Sequence, residues 1–340
     1  MEMQSTPPSF VERFFKVREK GSTVRTELLA GLTTFIAMAY ILFVNPNILA
    51  DAGIPKEAAI ASTIWIAALA SLAMGIFANY PVALAPGMGL NAFFAYYVCG
   101  VLGLHWTVAL GAVFFSGVLF LILTVGGIRQ AIINAVPRDL KYAISVGIGL
   151  FIAFIGLKGT GLIVENSATY VSLGHVTAPT TLLSLFGLLL TAALMARNVH
   201  GSILIGIFVT TILAMILGMT PAPKGITDIV STSLPHMGET FGQLDLVGAW
   251  HYGLISIIFT FTVVELFDNM GTLIGLTTKA KMIRPDGHIE NIDKALTTDA
   301  VGTMVSAVFG TSTVTSYIES AAGITAGGRT GLTAVAAGVL

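Results

Sequence analysis

Apolar residues run along this chain in blocks of about twenty, longer than strands and apolar on every side, unlike the one-sided helices of a water-soluble domain. Blocks near residues 26–48, 57–79, 105–127, 138–158, 180–196, 201–219, 253–277 and 293–310 each predict a helix able to cross a bilayer. Two further segments depart from the pattern. Residues 81–98, PVALAPGMGLNAFFAYYV, place two prolines and two glycines in their first half, so only the second half is expected to be helical. Residues 311–325, TSTVTSYIESAAGIT, open on a Thr/Ser/Val run that favours extended backbone and continue in helix-compatible residues. Both read as broken crossings, a short extended piece followed by a half-helix. A last apolar run begins near Thr330 and continues to Leu340, so the sequence stops inside an eleventh crossing.

Composition strengthens the membrane reading and removes other classes. With 55% hydrophobic and 10% charged residues and a mean hydropathy of +0.86, the chain lies far from soluble domains. Its 37 glycines suit close helix packing in lipid or interrupted helices. The single cysteine, Cys99, excludes an internal disulfide framework, and the scattered histidines form no zinc-ligand cluster, so no metal or cofactor is expected. A net charge of -1 gives no electrostatic reason for a nucleic-acid partner. The basic N-terminus, VERFFKVREKGSTVR, lacks the apolar core and cleavage site of a signal peptide, so the first crossing is expected to act as its own insertion signal.

Charge also orients the crossings. With the N-terminus cytoplasmic and every segment crossing once, inside loops hold fourteen of the 17 Lys and Arg residues, and outside loops only Lys56, Lys158 and Lys224. Removing either broken segment from the count spoils this asymmetry. The broken segments also occupy equivalent places, each the third crossing of a block: crossings at 26, 57 and 81, then at 253, 293 and 311. Each is followed by a similar apolar segment, WTVALGAVFFSGVLF from 106 and TGLTAVAAGVL from 330. Seven crossings separate the two block starts, so the second block is inserted upside down. Inverted repeats with interrupted helices in matching positions mark a substrate site near the midplane.

Few ionisable groups fall within crossings. The stretch TFTVVELFDNMGTLIG, 260–275, carries Glu265 and Asp268 at i and i+3, one turn apart on one helix face. Glu319 follows the extended run of one broken segment, Asn91 follows APGMGL in the other, and Asp299 lies in the crossing near 293. An acid at mid-span costs about 2.5–3.5 kcal/mol on insertion scales, so such groups face a cavity or a partner. No Lys or Arg lies at similar depth. Acids plus an amide suit a flat, uncharged heterocycle with several N–H donors, and half-helix N-termini add N–H groups for its acceptors. A carboxyl of such a cluster, Glu265 or Asp299, is a candidate proton carrier, with Thr272, one turn beyond Asp268, in support. Each residue also has a plainer reading: Asp268, Glu265, Glu319 and Asp299 as interhelical hydrogen-bond partners, Asn91 as a half-helix cap, Thr272 bonded to its own helix.

The motifs TELLAGLTTFIAMAYILFVNPNIL, APGMGLNAFFAYYV, ELFDNMGTLIG, GTSTVTSYIESAAG and GGRTGLTAV, in this order, closely resemble the AzgA-like branch of the nucleobase:cation symporter-2 family, the adenine/guanine/hypoxanthine permeases. The resemblance implies an all-α polytopic membrane protein of the UraA-like fold, a 7+7 inverted repeat with a short strand before each broken helix. It divides this chain into a cytoplasmic segment, 1–25, a first core repeat, 26–130, a first gate half, 131–250, and an incomplete second core repeat, 251–340. The family continues for about three further crossings. It further implies a purine held between the third, eighth and tenth crossings, by Asn91, Glu265, Asp268 and Glu319, and import across the cytoplasmic (inner) membrane of adenine or of hypoxanthine and guanine by proton symport with alternating access. A gate-mediated homodimer is common in the wider family. The alternative is a uracil/xanthine or anion carrier of the same fold, though an anion would favour a positive site over three acids. A channel should repeat its polar residues around a pore axis, and no nucleophile stands beside a base or metal set, so an enzyme is not expected.

Overall fold

The computed structural model describes residues 9–126, 138–199, 201–223, 225, 236–251, 255–283 and 289–340. Arg129, Lys224 and Arg284, three of the charges used for orientation, lie outside them. The chain divides into two compact units, Met1–Val136 with Met237–Leu340, and Pro137–His236.

In the first unit a short helix, α1 (Phe10–Phe14), is closed by a capping box: Ser9 Oγ accepts from the Glu12 N–H, and Glu12 accepts from the Ser9 N–H. The first apolar block, expected as one helix, is two: α2 (Val24–Met38) and α3 (Ile41–Asp51), separated by a tight turn at Ala39–Tyr40. Leu42 and Phe43 donate to the carbonyls three residues back, the tighter 3₁₀ pattern, just upstream of Pro46, which has no N–H to offer the Leu42 carbonyl. Next come α4 (Lys56–Ala73), which widens over Met74–Ala78, β1 (Leu84–Pro86), α5 (Met88–Ala92), which widens over Phe93–Val101, and α6 (Trp106–Val125).

The second unit holds α7 (Arg138–Gly159), an antiparallel hairpin of β2 (Ile163–Asn166) and β3 (Tyr170–Leu173), α8 (Pro179–Ala196) and α9 (Ser202–Ile216). The hairpin falls where no element was expected.

The chain returns to the first unit with α10 (Leu246–His251), α11 (Ile255–Lys279), α12 (Ile292–Phe309), β4 (Val314–Ser316), α13 (Ser320–Thr325) and α14 (Gly331–Val339). Helix α12 ends at Gly310, whose φ of 84° is the left-handed conformation a helix stop needs, with Thr311 N–H closing back on the Ser306 carbonyl at 3.0 Å. Among the described residues five helices are long and apolar enough to cross a membrane: Val24–Asp51, Lys56–Ala78, Trp106–Val125, Pro179–Ala196 and Ile255–Lys279. Tyr80, Phe94, Phe120, Phe261 and Leu266, all fully buried, anchor the core of the first unit.

Candidate functional site

Two three-residue strands from opposite ends of the sequence meet in the middle of the first unit. β1 and β4 pair antiparallel, Leu84 with Ser316, Ala85 with Thr315 and Pro86 with Val314. Bonds from Gly87 N–H to the Thr313 carbonyl (2.9 Å) and from Tyr317 N–H to the Ala83 carbonyl (3.0 Å) extend the pairing at both ends. A two-stranded ribbon leaves two outer edges whose backbone groups must be satisfied inside the protein. One hydroxyl does this on each side. Ser71 of α4 accepts from the Leu84 N–H and donates to the Leu84 carbonyl, both at 2.9 Å. Thr303 of α12 accepts from the Val314 N–H at 3.2 Å. Each strand runs directly into a short helix, and because the pairing is antiparallel Asn91 of α5 follows one end of the ribbon and Glu319, at the head of α13, follows the other.

The structure separates the two acids of α11. Positions i and i+3 lie about 60° apart around a helix, and here that angle decides their surroundings. Glu265 is fully buried; its oxygens accept from Thr303 Oγ1 and, at 3.4 Å, from Ser116 Oγ of α6. Asp268 is exposed, with Thr315 Oγ1 donating to Oδ2 at 3.1 Å. Glu319 is half-buried and receives the Tyr40 hydroxyl on Oε1 at 2.6 Å. Asp299 is fully buried, its Oδ2 accepting from Asn269 Nδ2 while Oδ1 has no partner. Asp268 lies within electrostatic range of Glu265, Asp299 and Glu319, and none of the four forms an ion pair among the described residues. Asn91, also fully buried, donates Nδ2 to Asn45 Oδ1 and keeps Oδ1 without a partner. Thr272 is half-buried and no hydrogen bond ties it to this network.

Four residues of the network were not expected. Asn269, one turn beyond Glu265, accepts on Oδ1 from the Ser316 N–H (2.8 Å) and shares with Asp268 the single proton of Thr315 Oγ1 (3.1 Å), while donating to Asp299. It ties α11 to β4 and α12 at once. Asn45 of α3 has the corresponding place on the other side, bonding Thr63 Oγ1 (2.8 Å), Thr311 Oγ1 (3.2 Å) and Asn91. Thr315 joins Asp268 to Asn269, and Tyr40 holds Glu319. Their signal was the same as for the acids, a polar side chain in an apolar block, but Asn, Thr and Tyr are common enough in membrane helices for it to be weak. Two apolar grooves lie apart from these polar groups, one of about 290 Å³ between α4 and α12 and one of about 430 Å³ between α2 and α14, both lined almost wholly by side chains suited to lipid.

What the junction offers is acceptors. Among the described residues no other side chain takes Asn91 Oδ1, the second oxygen of Asp268 or the second oxygen of Glu319. Residues 25–340, every crossing, match the model of a family described as the Permease family. The chain belongs to that family. It is a permease of the nucleobase:cation symporter-2 type, a multi-pass membrane transporter and not an enzyme. It is similar to adenine permease AdeP of Escherichia coli (strain K12), 45% identical over 337 residues that cover 99% of this chain and 75% of AdeP. It is also similar to guanine/hypoxanthine permease PbuO of Bacillus subtilis (strain 168), 42% identical over 332 residues, 96% of this chain and 76% of PbuO. Among solved structures, the transmembrane domain of a cyanobacterium bicarbonate transporter, BicA, superposes with a TM-score of 0.62 at 15% identity, covering 93% of this permease and 80% of that domain. That likeness shows a mostly helical membrane-transporter fold.

Proposed function

We propose that this permease imports purine nucleobases, adenine or hypoxanthine and guanine, across the cytoplasmic (inner) membrane by proton symport with alternating access, its N-terminus in the cytoplasm. The observation that carries the reading is the excess of free acceptors at the β1–β4 junction. Asp268 and Glu319 lie within electrostatic range of each other with no Lys or Arg paired to them among the described residues, and Asn91 keeps Oδ1 without a partner beyond the other end of the ribbon, which suits the N–H edges of a neutral purine. The purine-specific names of the relatives support the same class. Asp268 and Glu319 are the ligand contacts in this reading. Glu265, fully engaged behind them by Thr303 and Ser116, and Asp299, with one free oxygen, are the candidates for the coupled proton, and no metal or cofactor takes part.

The paired supports of the two strands favour a 7+7 inverted repeat. Ser71 on the helix before β1 is matched by Thr303 on the helix before β4, and Asn45 is matched by Asn269 on the helix preceding each of those. In this scheme the second unit is part of a gate domain, through which a homodimer would form. A uracil or xanthine carrier of the same fold uses similar acceptors and is the second reading. An anion carrier is disfavoured, because every free group at the junction repels an anion.

Uptake of labelled adenine, hypoxanthine and guanine into permease-deficient cells, with each base as competitor and with a protonophore added, tests substrate and coupling together. Saturable purine uptake abolished by the protonophore is expected. Undiminished uptake by Asp268→Ala and Glu319→Ala variants would overturn the site, and uptake of uracil alone would overturn the purine class.

A further inference from the structure

Tyr40 sits in the turn that divides the first apolar block, is 3% exposed, and reaches 279 residues along the chain to donate its hydroxyl to Glu319 Oε1 at 2.6 Å. Three features make this more than packing. The contact falls at the one interruption between α2 and α3, so the turn places a hydroxyl where a continuous helix would carry its residues onward. Glu319 heads α13, and among the described residues Tyr40 is the side chain that bonds it, beside the backbone N–H of Glu319 itself. And a carboxylate accepts on both oxygens: with Oε1 holding the Tyr40 proton, Oε2 is the oxygen that no side chain bonds among the described residues.

We propose that Tyr40 is a positioning residue of the substrate site: its hydroxyl holds Glu319 in one orientation, with Oε2 turned to accept from the bound base. The inference rests on the reading of Glu319 as a ligand contact. A freely rotating Glu319 would have to lose its side-chain freedom on every binding event, whereas a carboxylate already held has lost it during folding.

The test is a double-mutant cycle on the full chain in lipid nanodiscs, with equilibrium binding of labelled adenine, hypoxanthine and guanine. Tyr40→Phe keeps the ring and removes the donor. It is expected to weaken binding about tenfold, the scale of one hydrogen bond to a charged group. In a Glu319→Gln background the same change is expected to weaken it less than twofold, because the group it acts through is already altered. Unchanged affinity in Tyr40→Phe overturns the proposal, and so does an equal tenfold loss in both backgrounds, which assigns the effect to a role of the hydroxyl that does not run through Glu319. Glu319→Gln binding all three bases as the parent does is a different failure, that of Glu319 as a contact. Should Tyr40→Phe fold poorly, a fluorotyrosine at position 40 changes the donor strength of the hydroxyl with little change of shape; affinity must then shift, and a constant affinity overturns the proposal.

Discussion

Replacing Asn269 by alanine removes a side chain that bonds both α12 and β4 from α11. The Ser316 N–H loses its 2.8 Å acceptor and Asp299 Oδ2 loses its donor, while Oδ1 of the same carboxylate already lacks a partner. Thr315 is less affected, because its hydroxyl can still donate to Asp268 at 3.1 Å. Asn269 and Asp299 are fully buried and Ser316 is 3% exposed, so water does not replace the lost bonds. Two orphaned buried groups at about 1–3 kcal/mol each, with the space left by the amide, give a loss of about 3–5 kcal/mol. For a domain of this size that corresponds to a fall in Tm on the order of 10 °C. The assay is thermal unfolding of the purified protein in one detergent, followed by loss of the monodisperse peak on size exclusion. Thr272→Val is the control, one helical turn from Asp268 and outside the network, and should move Tm by no more than about 1 °C. Purine binding should fall as well, since β4 carries Thr315 and leads to Glu319. A fall of less than about 2 °C in Asn269→Ala, or an equal fall in the Thr272 control, would refute the reasoning, because the orphaned groups would have found partners that the network does not contain.

Two further changes test neighbouring parts of the same frame. A Cβ on Gly87 would lie 2.8 Å from Thr315 Cγ2, so Gly87→Ala should turn the Thr315 hydroxyl away from Asp268 and weaken purine binding; adding Thr315→Ser, which deletes that methyl, should restore it, and failure of the rescue counts against the geometry. Glu27, fully buried in α2, accepts from the Arg329 N–H (3.0 Å), the Thr330 N–H (3.2 Å) and Thr333 Oγ1 (2.5 Å) at the start of α14. Glu27→Gln should cost about 1–2 kcal/mol, read as a lower Tm with unchanged purine affinity at low temperature, because a negative charge is lost from a helix N-terminus.

The crossings were legible because lipid admits few solutions. A backbone in hydrocarbon must satisfy its own hydrogen bonds, so a block of about twenty apolar residues is a helix and its ends are close to the ends of the block: blocks expected from 57, 105, 180 and 293 begin at Lys56, Trp106, Pro179 and Ile292. The extended pieces were legible for the opposite reason, since Pro86 and the β-branched run Thr313–Thr315 resist the helix that surrounds them. Where two conformations satisfied the same hydropathy, the reading missed. Val24–Asp51 is as apolar across its turn as a single helix would be, and the hairpin from Ile163 to Leu173 carries no long apolar signal at all.

The site was legible as a set of residue types and not as a set of partners. Glu265, Asp268, Asp299, Glu319 and Asn91 stand out because a polar group in a crossing needs a reason to be there, and every residue that supplies the reason is distant in sequence: Asn269 from Asp299 by 30, Thr315 from Asp268 by 47, Tyr40 from Glu319 by 279. Sequence spacing puts Glu265 and Asp268 on one face. It does not say that α6 and α12 close over the first, through Ser116 and Thr303, and leave the second open. That difference divides the labour. A carboxylate whose two oxygens are held by two hydroxyls gains little from a ligand and much from staying where it is, whereas one with a free oxygen at an open junction gains from any N–H that arrives. Two identical functional groups, one helical turn apart, are thus given different surroundings by the elements packed against them.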